Sequence, residues 1–373
     1  MIIFFLLGIF IATFLWERYY RRHWAKNITV RLWFGADALY AGESTKLYEV
    51  IENRKAMPVP VIEVGFHTSK GLDFADTENT NVSDYIYKRD IFAVLGRQKI
   101  TREIPLTCRR RGHYGIEEAD LNSYALFYRK HLISALNCSA DIYVYPKMTD
   151  VSEIMAVCER MLGTMQCAKR LYEDPFAFRT IRGYTTDDPM KSINWKASAK
   201  TGELMVNTFD SVLSQKAMIY LDVEDNGILK YEDLVEESIS VAASLSRRLI
   251  RQNIEVGFWF NGNMEGGDCD TGFAPTSQKS RLIALERMLA DYRVESGSGE
   301  YCGIFGKAAV SEDTVLIFIT KNLSDEVLRS IKGCAGERQA VVVCPVRRGM
   351  DRNFGRTPFA DCKNIVLHYR EMQ

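Results

Sequence analysis

Residues 216–223 read Lys216-Ala217-Met218-Ile219-Tyr220-Leu221-Asp222-Val223. Positions 217–221 are uncharged and do not alternate between polar and apolar, the pattern of a strand covered on both faces. Outward from this run the pattern switches period. Residues 234–253 carry apolar side chains at helical spacing, 254–260 form a second apolar run, and 278–292 return to the helical pattern. A third run at 314–320, a helix at 325–332 and a fourth run at 339–346 follow. Apolar strands alternating with helices predict a doubly wound α/β domain with a parallel sheet over 213–373. Ligands in such sheets bind beyond the carboxyl ends of strands. Asp222, at the end of the first strand, therefore heads the candidate residues.

After that strand the chain reads Asp222-Val223-Glu224-Asp225-Asn226-Gly227. Oxygen donors in this order suit Mg²⁺ or Ca²⁺, so Asp222, Glu224 and Asn226 are the candidate metal ligands. The order resembles the first-loop motif of von Willebrand factor A domains, Asp-x-Ser-x-Ser, with Glu224 and Asn226 at the serine positions. A carboxylate there neutralises a metal that hydroxyls would leave electrophilic, which counts against an adhesive metal site. An acidic, solvated loop without metal is the simpler reading. The spacing also approaches an EF-hand loop with Asp233 twelfth, but a strand precedes it where an EF-hand needs a helix.

Other chemical templates fail. The five histidines (23, 67, 113, 131, 368) form no HExxH, and no GxSxG is present. Gly303-Ile304-Phe305-Gly306-Lys307-Ala308 has Tyr301 where a P-loop needs its first glycine, and Ala308 lacks the hydroxyl that ligates Mg²⁺. No catalytic residue is expected, and no cofactor other than Mg²⁺ at the oxygen donors above. A divalent-metal-dependent hydrolase using Asp222, Glu224 and Asp225 remains the enzymatic alternative.

The length of 373 residues suits two or three domains. Lys and Arg total 48 against 48 Asp and Glu, so no global charge favours nucleic acid. Nine cysteines, an odd number without a CxxC pair, read as reduced thiols in a reducing compartment. At the N-terminus, residues 1–16 (MIIFFLLGIFIATFLW) hold no charge, and residues 1–22 are expected to form a transmembrane anchor. Arg18, Arg21, Arg22, Lys26 and Arg31 face Glu17 alone over residues 17–31. That excess predicts a single-pass cell-membrane protein with its bulk in the cytoplasm. Bulky residues after the apolar run argue against a cleaved signal peptide.

Residues 27–147 read as β structure. Ile28, Val30, Leu32 and Phe34 alternate, and Leu47-Tyr48-Glu49-Val50-Ile51 and Val61-Ile62-Glu63-Val64 follow as short runs. Further runs lie at 91–95, 100–106 and 142–145, with turn residues between them. The spacing predicts an antiparallel β-sandwich-like domain. Cys108-Arg109-Arg110-Arg111, the densest basic run, is read as part of one strand, either a solvated edge or a contact surface.

Residues 148–212 form a connector: a helix over 151–170, then a stretch with no clean period. That stretch contains Arg182, Tyr184, Asp188, Lys191, Asn194, Trp195, Lys196 and Ser198. Asp188 suits the planar fork of Arg182, and Trp195 offers a large apolar plate. The residues are expected to form a clasp, a docking surface, or both.

The series Arg182-x-Tyr184-x-x-x-Asp188-x-x-Lys191-x-Ile193-Asn194-Trp195-x-x-Ser198-Ala199-Lys200 resembles the signature of the domain-of-unknown-function family numbered 58. It departs at Asp187, where the family has Gly, and at Lys191 and Lys200, where it has Arg. Upstream, Glu43, Glu52-Asn53, Pro58-Val59-Pro60, Arg111-Gly112-His113-Tyr114 and Val144-Tyr145-Pro146 resemble the family's β region. The resemblance implies a von Willebrand factor A-like C-terminal half. It also implies a membrane-anchored partner of a MoxR-type AAA+ ATPase, with a transglutaminase-like membrane protein as a further partner, and carries no reaction with it. No nucleic acid is implied.

Overall fold

The structure is a computed structural model that describes residues 2–372 except 76–79, 83–84, 125–130, 170–177, 187, 189, 210–214, 226–229, 265–270, 277, 308–309, 349–358 and 360. It is mixed α+β, with an N-terminal apolar helix and antiparallel sheets. Two compact units divide it: Met1–Met148 with Ala284–Arg293, and Thr149–Ile283 with Val294–Gln373.

The first unit opens with α1 (Ile2–His23), which is long and apolar enough to cross a membrane. Most of it is exposed, but Tyr20 and the following Trp24 are buried in the core of the strands after it. Lys55 Nζ donates to the carbonyls of His23 (3.1 Å), Trp24 and Lys26 (3.2 Å), at and just beyond the helix end, where carbonyls lack their intrahelical donors. Burial lowers the Lys55 ammonium to about 8.

Ten strands follow: β1 (Ile28–Phe34), β2 (Ala38–Tyr40), β3 (Ser44–Asn53), β4 (Val59–Ser69), β5 (Leu72–Phe74), β6 (Thr80–Val82), β7 (Tyr85–Val94), β8 (Lys99–Cys108), β9 (Gly112–Tyr124) and β10 (His131–Tyr145). They form two sheets, in the orders β1-β3-β8-β5 and β2-β10-β9-β4-β7-β6, antiparallel except where β2 meets β10. Period-two burial turns one face of each sheet into a shared core, as at Ile28, Val30, Leu32 and Phe34 of β1.

The basic run at 108–111 is not one strand. β8 stops at Cys108, and the next residues carry the chain from the first sheet to the second. Arg109 pairs with Asp73 at 2.5 Å, and Arg111 donates to the carbonyls of Leu289 (2.9 Å) and Tyr292 (3.1 Å). Arg109 and Arg110 are exposed, as a solvated edge requires, while Arg111 holds the helix end at Leu289 and Tyr292.

Charged side chains interrupt the apolar pattern of this core. Glu49 (β3), Lys88 and Asp90 (β7) are buried, and Arg102 (β8) pairs with Asp90 at 2.8 Å. Lys88 Nζ also lies 5.8 Å from the centre of the Phe74 ring. Glu49 is pushed up to about 8, first by burial and then by the charge of Asp90. As a carboxylate, neither Glu49 oxygen has a donor; protonated, Glu49 donates to Asp90.

The second unit contains α2 (Ser152–Lys169), β11 (Phe178–Gly183), α3 (Trp195–Thr201), β12 (Met205–Phe209), β13 (Lys216–Leu221), α4 (Glu232–Arg251), β14 (Glu255–Phe260), β15 (Gly272–Thr276), β16 (Thr314–Ile319), α6 (Asp325–Ala335), β17 (Ala340–Val346) and β18 (Ile365–Glu371). Helix α5 (Lys279–Asp291) begins in it. Its six-stranded sheet runs β15-β14-β13-β16-β17-β18, parallel except for β15. The chain leaves β13 on one side through β14 and returns on the other through β16, so the strand order reverses at β13. Residues 217–221 are fully buried, as an apolar run without alternation requires.

Candidate functional site

Two places gather the candidate residues, both in the second unit. The first is the module between β11 and β12, an antiparallel ribbon with Arg182 opposite Val206 and Gly183 opposite Met205. Tyr184 extends it, its N–H donating to the Leu204 carbonyl at 2.8 Å. The chain then turns back through Thr185 and Asp188. Arg182 grips the Asp188 carboxylate with both terminal nitrogens, at 2.8 and 2.6 Å. The Thr185 N–H and hydroxyl donate to the same carboxylate at 2.9 and 2.7 Å. These donors, Arg182 first, hold the Asp188 carboxyl down at about 2. Asp187, the departure from the resembled signature, lies outside the described residues.

Helix α3 is fastened by the next pair. Asn194 caps it: its side-chain oxygen accepts from Ala197 N–H (2.9 Å), and its amide donates to Asn207 Oδ1 (2.7 Å). Ser198 Oγ donates to the Asn194 carbonyl (2.8 Å) and accepts from Met205 N–H (2.9 Å), tying the helix to β12. Gly202 ends the helix at φ +78°, a left-handed conformation that favours glycine. Ile193 and Val206 are the buried apolar pair beneath.

The same module leaves a different set outside. Trp195 is 67% exposed and Met190 73% exposed. Lys191, Lys196 and Lys200 are exposed as well. Of the eight signature residues, the structure thus brings Arg182 to Asp188 and Asn194 to Ser198, and presents Lys191, Trp195 and Lys196 to solvent. Thr185 and Asn207 are partners that sequence reasoning missed.

The second place is the carboxyl end of three neighbouring strands. Asp222 follows β13, Asn261 follows β14 and Thr320 follows β16, all buried. Asp222 Oδ1 accepts from Glu224 N–H (2.9 Å) and from the Asn261 amide (3.0 Å), while Oδ2 accepts from the Thr320 hydroxyl (2.6 Å). Asn261 completes the knot by accepting from Val223 N–H (2.8 Å) and donating to the Gly299 carbonyl (3.0 Å). Burial raises the Asp222 carboxyl, opposed by these hydrogen bonds. Asp225 is ion-paired with Lys321 and accepts from Tyr231 N–H (2.7 Å).

These bonds occupy three of the roughly four lone-pair positions of the Asp222 carboxylate. Among the described residues, no group of three or more His, Cys, Asp or Glu side chains is placed to hold a metal ion. Asn226, the third proposed ligand, lies outside the described residues. Asp233, twelfth in the EF-hand comparison, sits in the first turn of α4 and takes both its short contacts, 2.7 Å each, from Arg347. Asn261 and Thr320 were missed by sequence reasoning. The signal for both was a polar residue at the carboxyl end of an apolar run.

No family profile matches the chain, and no curated protein matches it. Among solved structures, it is similar to the CARDB domain of a Pyrococcus furiosus protein at 14% identity, over 31% of this chain and 91% of that one, with a TM-score of 0.22. It is also similar to a non-cellulosomal cohesin from Archaeoglobus fulgidus at 12% identity, over 35% of this chain and 96% of that one, with a TM-score of 0.23. A type I cohesin from Pseudobacteroides cellulosolvens is similar at 7% identity, over 34% of this chain and 96% of that one, with a TM-score of 0.21.

Proposed function

We propose that this chain is a member of family 58 and works as a membrane-anchored cytoplasmic scaffold. In this reading α1 spans the bilayer, and the face around Trp195 docks a MoxR-type AAA+ ATPase or its clients, in protein assembly or an envelope-related process. The observation that carries the docking reading is the split within the β11–β12 module. Arg182, Asp188, Asn194 and Ser198 are spent on internal bonds, while a tryptophan and a methionine stay exposed among three lysines. An exposed tryptophan on a bonded support is the kind of anchor that interfaces bury. Lysines around it suit an acidic partner surface. The order reversal at β13, with Asp222 and Thr320 at adjacent strand ends, supports a doubly wound, von Willebrand factor A-like second unit. The excess of arginine and lysine over residues 17–31, following the charge-free run, supports the cytoplasmic side.

The test is a crosslinked pull-down of the full-length protein from its own cells, with and without ATP, beside a Trp195→Ala bait. Recovery of an AAA+ ATPase by the native bait, reduced on the order of tenfold or more for a folded variant, is expected for a tryptophan anchor. Equal recovery by both baits would remove Trp195 from the interface.

A further inference from the structure

The end of α1 is built into the sandwich rather than joined to it by a linker. Tyr20 and Trp24 lie in the core, and Lys55 closes the helix end from the turn after β3. That turn and the one between β7 and β8 are locked together. The Asn53 amide donates to the carbonyls of Met57 (3.0 Å) and Leu95 (2.9 Å), and Arg97 N–H donates to the Lys55 carbonyl (2.9 Å). The contact is so close that a Cβ at Gly96 would stand 2.1 Å from the Ala56 carbonyl oxygen, so only glycine fits.

The paired turns present an apolar edge beside the helix. Ala12, Leu15, Trp16 and Tyr19 of α1 and Ala56, Met57 and Pro58 of the turn line one groove of about 720 Å³. Leu95, on the adjoining turn, is 65% exposed. Arg18, Arg21 and Arg22 on the helix and Arg54 and Arg97 on the turns are exposed; Arg54 pairs with Glu52 at 3.0 Å, and Glu17 is the other acid on these segments.

Length arithmetic sets the level of this edge. The charge-free helical run from Ile2 to Trp16 rises about 22 Å. The hydrocarbon layer is about 30 Å thick. Centred in that layer, the run stops about 4 Å short of each boundary, which puts the boundary about two to three residues beyond Trp16, at the level of the turn 56–58 beside residues 12–19. We infer that the turns 54–58 and 95–97 form a second membrane contact, seating the sandwich on the phospholipid surface around the exit of α1. Met57, Pro58 and Leu95 enter the headgroup region of the same bilayer, and Arg18, Arg21, Arg22 and Arg97 meet the lipid phosphates. Continuity with the spanning helix and this charge complementarity select phospholipid as the occupant of the groove. The inference rests on the proposal that α1 spans the bilayer.

The experiment places a benzoylphenylalanine photo-crosslinker at residue 10, 57, 95 or 70 of the full-length protein, reconstituted in phosphatidylethanolamine–phosphatidylglycerol vesicles. Residue 70 lies beyond the opposite end of β4 and serves as the distal control, and residue 10 reports the helix. Lipid adducts at 10, 57 and 95, the latter two exceeding 70 on the order of tenfold, are the expected result for groups at headgroup depth. Adducts at 10 with 57 and 95 no higher than 70 would overturn the second contact while leaving the spanning helix intact. Crosslinks from 57 to a second copy of the chain in place of lipid would also overturn it. Absence of lipid adducts at 10 would reject the spanning helix itself, and the inference with it.

Discussion

Glu49→Gln should make the sandwich more stable at alkaline pH and flatten its pH dependence. Glu49 sits in an otherwise apolar row with Leu47 and Ile51, faced by Asp90, Lys88 and Arg102. Folding raises its carboxyl from an ordinary 4.5 to about 8. In the window between those values the folded chain holds a proton that the unfolded chain has released. Stability from this group is thus fully present below about pH 4.5 and is lost as pH rises through about 8. At 1.36 kcal/mol for each tenfold change, the rise from 4.5 to about 8 sets an upper bound of about 5 kcal/mol across the window. Gln keeps the shape and a donor toward Asp90 without ever carrying the charge. Hydrogen exchange of β3 and β7 peptides from pH 5 to 9, corrected for intrinsic rates, reads the difference on the full-length protein in detergent. Native opening free energy should fall by several kcal/mol over that range, within the same bound, and the variant's should change by much less. Parallel profiles for native and variant would refute a proton shared between Glu49 and Asp90.

Further expectations follow from the same geometry. Trp24→Ala removes a buried ring that ties α1 to the sandwich and should cost about 3–5 kcal/mol by denaturant titration. Gly202→Ala puts a Cβ on a residue at φ +78° and should destabilise the end of α3 by about 1 kcal/mol, seen as faster local hydrogen exchange without global unfolding. Asp222→Ala leaves the Asn261 amide, the Thr320 hydroxyl and the Glu224 N–H without their common acceptor. It should cost about 3–5 kcal/mol in urea titration. Adding Mg²⁺ or a chelator should leave the native melting temperature unchanged; a Mg²⁺-dependent rise abolished by Asp222→Ala would revive a metal site there.

How much the sequence discloses depends on the kind of order each element has. The parallel strands were readable because burial on both faces removes polar residues from them: the run read at 216–223 is β13 with Asp222 just beyond it. β18 (Ile365–Glu371) escaped notice because this edge strand is only half buried and carries His368, Arg370 and Glu371. β9 was obscured by Glu117, Glu118 and Asp120 on its outer positions. The signature segment shows no period for a different reason. Its order comes from side chains bonding the backbone, as at Asn194 and Ser198, and not from a buried stripe. The Arg182–Asp188 pair was foreseeable from charge and shape. The Asp222 knot was not, since Asn261 and Thr320 come from strands 39 and 98 residues away and meet it only through the sheet order.

The docking claim is tested most directly by placing the photo-crosslinker at residue 195 of the full-length protein in its own cells and identifying what it captures. Capture of a MoxR-type AAA+ ATPase at 195, and not at residue 70 on the sandwich, is the predicted result. A folded, membrane-inserted protein that captures no ATPase from 195 would contradict the proposal.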